Sequence, residues 1–167
     1  MKIVFCVELV LILVMGVILY GVMSHTDTEG PKRVELVEED LEIPQEIVHA
    51  KEEGTSKMKG YMNIALFGVD AKKDSELYKG SRSDSTMIAS INLDTGDIRL
   101  VSIYRDTYLN IGTDEYEKCN AAYSYGGAEQ AVKMLNMNLD MDITNFVTVG
   151  YRGLSEVING LGGVYID

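Results

Sequence analysis

The feature that most limits how this chain can fold is a turn. Two apolar stretches, Thr86–Leu93 and Asp97–Ile103, are joined by Asp94-Thr95-Gly96. Short, alternating flanks around a glycine-bearing polar turn specify a β-hairpin. A hairpin also decides what its outer ends bring together. With the turn centred near Thr95, facing positions sum to about 190, which places Asp84 across from Asp106. Arg82 and Arg105 then share that end, because a strand rises only ~3.3 Å per residue and its neighbour runs ~4.8 Å away. Residues distant in sequence, Ser81-Arg82-Ser83-Asp84 and Tyr104-Arg105-Asp106, are therefore expected to form one cluster.

The rest of the chain from Tyr61 onward extends this hairpin into a domain. Tyr61–Asp70 is a near-continuous apolar run, the pattern of a strand buried on both faces. Its last residue, Asp70, joins the cluster if that strand ends on the same side. A polar loop at Asn110–Glu117 precedes Tyr125-Gly126-Gly127 and a helical pattern over Ala128–Met137. Phe146–Val149 reads as a short strand, Leu154–Leu161 as a helix, and Val164-Tyr165-Ile166-Asp167 as the start of another strand. Strands interleaved with helices imply an α/β domain, with a mixed central sheet and flanking helices, over residues 61–167.

Two segments precede it. From Ile3 to Met23 the chain is apolar but for Glu8, a span of 21 residues. That is close to the ~20 needed to cross a bilayer as a helix and longer than a signal peptide's ~7–15-residue apolar region. Residues 1–23 are thus expected to be one transmembrane anchor. Lys2 before the span, with no further base until Lys32, favours a cytoplasmic amino terminus and an extracytoplasmic domain. Residues 24–60 hold both prolines and many charges and read as a tether. Within it, Leu36, Val37, Leu41, Ile43 and Ile47 are candidates for a short amphipathic piece around Pro44.

Charge and residue usage exclude several functions. The formal charge is −11, with fifteen acids and nine bases over 60–167, so the domain repels polyanions and nucleic acid is not expected as a partner. Cys6 and Cys119 fall on opposite sides of the anchor boundary and give no disulfide framework. His25 and His49 both lie in the tether, which removes histidine-based hydrolases and histidine-rich metal sites. No Gly-x-x-x-x-Gly-Lys-Ser/Thr follows Gly126-Gly127, so the chain has no nucleotide P-loop.

Spacing alone leaves two readings of the Arg/Asp cluster. In one, Arg82–Asp84 and Arg105–Asp106 are rim ion pairs, each worth under ~1 kcal/mol. In the other they form a site. Magnesium takes a couple of carboxylates plus phosphate oxygens, arginine grips phosphate in bidentate fashion, and ligands of α/β sheets bind beyond strand ends. The inventory suits a metal-assisted diphosphate site. Lys118 and Asn120 are candidates for ligand contact, with capping or loop bonding as the alternative.

Five ordered stretches carry a resemblance: Asn63-Ile64-Ala65-Leu66-Phe67-Gly68-Val69-Asp70, Ser81–Met87, Leu100–Tyr108, Lys118–Gly127 and Leu161-Gly162-Gly163-Val164. Together they resemble the LytR–CpsA–Psr (LCP) family of bacterial cell-envelope phosphotransferases. The resemblance implies transfer of a glycopolymer phosphate, such as teichoic acid or capsule, from an undecaprenyl-diphosphate carrier to peptidoglycan, with Mg²⁺ at the diphosphate. By motif match it implies Asp70 and Asp84 as metal ligands and Arg82 and Arg105 as diphosphate ligands. Asp106 would orient Arg105 or assist proton removal from the acceptor. Tyr104 and Cys119 depart from the pattern, which commonly has proline and a branched aliphatic there. The family's domain also continues past the position of Asp167 with a second set of arginines, so the expectation is the N-terminal portion of a catalytic domain. The alternatives are a non-catalytic binder of polyprenyl phosphate or wall polymer, and a regulator of transcription or autolysis.

Overall fold

A computed structural model describes residues 32–71, 76–78, 80–112 and 114–166. The expected anchor at 1–23 lies outside the described residues, and among those described no helix is long and apolar enough to cross a membrane. Leu36–Asp167 forms one compact unit. Its first helix, α1 (Gln45–Glu52), begins behind Pro44, whose carbonyl accepts the N–H groups of Ile47 and Val48. Proline suits this place because its fixed φ already matches a helix start. Leu41, just upstream, is fully buried in the core.

The main sheet has the order β3-β2-β1-β6. It comprises β1 (Tyr61–Val69), β2 (Ser83–Asn92), β3 (Ile98–Ile103) and β6 (Asn145–Val149). β1 pairs antiparallel with β2 and parallel with β6, so the sheet is mixed as expected. Between β3 and β6 the chain makes a two-stranded ribbon, β4 (Tyr108–Asn110) with β5 (Tyr116–Lys118), and the long helix α2 (Cys119–Leu139). Helix α3 (Tyr151–Gly160) follows β6.

The core forms between α2 and one face of the sheet. Ala65, Phe67 and Val69 of β1 alternate inward and meet Tyr123, Val132 and Leu135 of α2 in one buried cluster. The Phe67 and Tyr123 rings sit 5.3 Å apart and tilted by 59°, a favourable edge-on contact. Small residues at Ala121, Ala122, Ala128 and Ala131 let the helix lie close to the strands. β1 is not buried on both faces, contrary to expectation. Its odd-numbered residues from Asn63 are buried, whereas Ile64, Leu66 and Gly68 are only partly covered, because α2 packs against one side alone.

Asn136 ties three parts of this core together. Buried completely, it donates through Nδ2 to the carbonyls of Leu41 and Ile143, both at 3.0 Å, and accepts the Ile143 N–H at 2.8 Å. Helix α2 is broken at Gly127, whose φ of 69° and ψ of −152° separate two helical pieces. A Cβ there would run into the Tyr78 carbonyl oxygen, so glycine is required for both backbone and space. Among the described residues the expected strand from Val164 does not form. Val164, Tyr165 and Ile166 are exposed and irregular, with no strand beside them among the described residues.

Candidate active site

The cluster begins with the hairpin register. Asn92 and Asp97 close the loop, with the Asn92 N–H donating to the Asp97 carbonyl at 2.8 Å. The Asn92 side-chain oxygen accepts the N–H groups of Asp94 and Thr95, and Gly96 takes a φ of 75°. Because Leu93–Gly96 is an even-numbered loop, its centre falls between Asp94 and Thr95. The pairs run from Ile91↔Ile98 to Thr86↔Ile103, one residue off the register centred on Thr95. The expected facing of Asp84 and Asp106 is thereby corrected, since continuing the pairing sets Asp84 against Arg105. A one-residue slip swaps which side chains share a face. Arg105 Nη1 accordingly reaches Asp84 Oδ1 at 2.6 Å.

A β-bulge sharpens this placement. Gly68 pairs with Ser85 and Val69 with Ser83, leaving Asp84 without a partner on β1. Bulges re-aim side chains and gather at sites. Here the bulge keeps Ser83 and Thr86 both buried, joined by a 3.2 Å hydroxyl bond, while Asp84 and Ser85 both face out. No pattern of alternation in the sequence marks this extra residue.

Asp70 follows Val69 directly and so stands at the same sheet end as Arg82 and Asp84. It is exposed and makes no hydrogen bond or ion pair among the described residues. Parallel β6 ends here too, with Gly68 paired to Val149, and α3 starts beside Ala71. Arg82 is exposed and carries no ion pair among the described residues. Its positive field acts on Tyr125, whose hydroxyl donates to Glu117 Oε2 at 2.8 Å. That bond, with the Glu117 charge, pushes the Tyr125 phenol upward.

Asp106 is held from the other side. Lys118 Nζ donates to its Oδ1 at 2.8 Å, and Arg105 Nε lies 4.0 Å from Oδ2. The Lys118 hydrogen bond and charge, aided by Arg105, hold its carboxyl below the ordinary range. Asn120 lies beneath Arg105: its backbone N–H donates to the Arg105 carbonyl at 3.1 Å, and the Cys119 N–H donates to Thr107 at 2.8 Å. The Asn120 side chain is buried, and its Oδ1 has no hydrogen-bond partner among the described residues. Three cationic side chains (Arg82, Arg105, Lys118) thus share one end of the fold with three carboxylates (Asp70, Asp84, Asp106). No sequence signal pointed to the pairing of Lys118 with Asp106, because a strand as short as Tyr116–Lys118 shows no periodicity.

A divalent ion fits this donor set in one way. Among the described residues no three His, Cys, Asp or Glu side chains gather into a metal cage. Asp70 and Asp84 are two exposed carboxylates at one edge, and magnesium commonly takes one or two carboxylates and fills its other positions with water and phosphate. The residues therefore fit an ion that arrives with, and is completed by, a phosphate ligand.

Comparison with known proteins places the fold in context. A model of the LytR_cpsA_psr family matches residues 19–167. Over 106 residues the chain is 35% identical to the polyisoprenyl-teichoic acid–peptidoglycan teichoic acid transferase TagU of Enterococcus faecalis, covering 63% of this chain and 35% of that protein. Its identity to the corresponding TagT of Bacillus subtilis is 31% over 109 residues, covering 65% of this chain and 34% of the relative. The chain thus spans about a third of the length of these relatives. Among solved structures, YwtF (TagT) with bound octaprenyl pyrophosphate lipid aligns with a TM-score of 0.56 at 28% identity, over 65% of this chain and 42% of the other. B. subtilis TagV aligns with a TM-score of 0.56 at 32% identity, over 63% and 42% of the two chains. On this match of nearly its whole length, together with the shared fold, the chain belongs to the LytR–CpsA–Psr family.

Proposed function

We propose that this chain carries part of the active site of a membrane-anchored glycopolymer phosphotransferase. In this reading a polymer phosphate passes from an undecaprenyl-diphosphate carrier to a hydroxyl of peptidoglycan at the outer face of the cell membrane. The observation that carries the reading is the convergence of Arg82, Arg105, Asp70, Asp84 and Asp106 at one end of the sheet, with Arg105 and Asp84 in contact at 2.6 Å. The names of the relatives support the reaction class, and the lipid bound to YwtF supports the carrier chemistry. The apolar run at 3–23 would keep the site near its lipid and raise the effective concentration of the carrier.

Phosphoryl transfer depends on positioning and charge stabilisation more than on covalent chemistry. Arg105 and Arg82 bind diphosphate oxygens. Asp84 keeps the Arg105 guanidinium at the sheet end before substrate arrives, so less order is lost on binding. Asp70 and Asp84 are the residues that would hold Mg²⁺, which when bound supplies charge neutralisation at the diphosphate. Asp106 stays ionised beside Lys118 and Arg105, able to orient Arg105 or to receive the acceptor's proton. Asn120 and Lys118 act through Arg105 and Asp106, the first by its backbone and the second by its ammonium.

The test is Arg105→Ala in the membrane-embedded protein, assayed for transfer from lipid-linked polymer to peptidoglycan. Removing one preorganised charge from a transferring phosphoryl group is expected to lower turnover about 10²-fold or more. Stability should change by less than about 1 kcal/mol, because the pair it breaks is half exposed and solvent-screened. Normal turnover in this variant removes the site assignment. Carrier-lipid binding without transfer, whatever divalent ion is supplied, would make the protein a binder and not a transferase.

A further inference from the structure

The β4–β5 ribbon carries a feature that the diphosphate site does not use. Tyr108 and Tyr116 stack with ring centroids 5.9 Å apart and planes inclined by 30°. They nevertheless remain 69% and 57% exposed. In the ribbon, Tyr108 pairs with Lys118 and Asn110 with Tyr116, so both rings lie on the face that also holds Lys118. The opposite face carries Leu109, which packs against the core. Neither phenol hydroxyl has a hydrogen-bond partner among the described residues.

We propose that the Tyr108–Tyr116 pair is a carbohydrate platform that seats the acceptor glycan beside Asp106. Sugar rings present C–H faces that pack on aromatic rings, and hydroxyl rims that bond to groups such as a phenol O–H or an ammonium. The platform offers both. It adjoins the reacting end because Lys118, the partner of Tyr108 in the ribbon, holds Asp106 at 2.8 Å. Charge decides which glycan it takes. Asp114 and Glu115 are exposed immediately before Tyr116, and the Lys118 charge on the ring face is already offset by Asp106, so the ribbon disfavours a phosphate-bearing donor polymer while an uncharged sugar ring can still hydrogen-bond there. This assignment rests on the transferase reading for its place in a reaction, but the binding itself does not.

The experiment measures binding by calorimetry on the full-length protein in detergent. The probes are a neutral N-acetylglucosamine tetramer, lipid-free teichoic polymer and octaprenyl diphosphate. Two double variants are compared with the parent: Tyr108→Phe with Tyr116→Phe, which keeps both ring faces, and Tyr108→Leu with Tyr116→Leu, which keeps apolar bulk without them. The phenylalanine pair should bind the tetramer within a few-fold of the parent. The leucine pair should bind it about tenfold more weakly, equivalent to ~1.4 kcal/mol, with octaprenyl diphosphate affinity unchanged in both. Equal tetramer binding by the leucine pair overturns the platform, leaving the rings as a cross-strand contact. So does loss of the teichoic polymer in place of the tetramer, or loss of the tetramer and the lipid together. A parent protein that binds the tetramer through these rings but ignores octaprenyl diphosphate keeps the platform and sinks the transferase reading. The reverse result sinks the platform alone.

Discussion

Asn136→Ala should be among the most damaging single changes to this fold that leave the candidate site untouched. The side chain is fully buried and makes three hydrogen bonds, to the Leu41 carbonyl, the Ile143 carbonyl and the Ile143 N–H. Alanine removes all three at once and leaves those backbone groups in an apolar interior. Each buried group left unpaired costs ~1–3 kcal/mol, and deleting the polar amide recovers part of the sum, so the net loss is about 3–5 kcal/mol. Domains of this size have only ~5–15 kcal/mol in total. The assay is urea denaturation of the parent and variant, read by circular dichroism, with the slope checked for a change in the unfolded state. Asn136→Asp sharpens the test. It keeps an acceptor for Ile143 N–H but turns a carboxylate toward two carbonyls, so its carboxyl should be raised by burial and by those oxygens. A raised carboxyl favours folding while it is protonated, and that contribution is lost as pH rises through the folded-state value. The aspartate variant should therefore gain stability on mild acidification. A loss below about 1 kcal/mol in the alanine variant would refute the reasoning, since it would mean these bonds have ready replacements.

Gly127→Ala should destabilise by about 2 kcal/mol or more, because the new Cβ meets the Tyr78 carbonyl at a φ of 69° that alanine resists. The variant should show a lowered thermal midpoint, and an unchanged midpoint would mean the kink is incidental. Lys118→Met should raise the Asp106 pKa, as followed by carboxyl NMR. The sign follows from the pair: a carboxyl depressed in the folded state stabilises above its unfolded value and stops doing so as pH falls through its folded value. The stability difference between parent and Lys118→Met should therefore shrink toward zero on acidification, and a constant difference would assign the loss to packing.

Much of the clustering at the candidate site was legible because its logic is local. Asp94-Thr95-Gly96 named the turn, and any turn there must bring Arg82, Asp84, Arg105 and Asp106 to one end. The pairing in detail was not legible, since Asn92 closes an even-numbered loop and shifts the centre by half a residue. That half residue exchanges an Asp84–Asp106 facing for an Arg105–Asp84 contact. The bulge at Asp84 was equally hidden, because its cause lies in the burial of Ser83 and Thr86 against other elements. Leu41 stood out only as one member of a short amphipathic piece in a charged, proline-bearing stretch. Its full burial in the core depends on distant residues, among them Asn136, whose amide bonds its carbonyl. Val164–Ile166 had the composition of a strand but no neighbouring edge among the described residues, and β-structure needs a partner as well as propensity.

The most direct measurement is a crystal structure of the protein without residues 1–23, soaked with octaprenyl diphosphate and magnesium. The diphosphate should lie beyond the C-terminal end of β1, with phosphate oxygens within hydrogen-bond distance of Arg82 and Arg105 and the ion between Asp70 and Asp84. A diphosphate seated at the opposite end of the sheet, near the Asn92–Asp97 turn, or one that leaves the Arg105–Asp84 pair unengaged, would contradict the account.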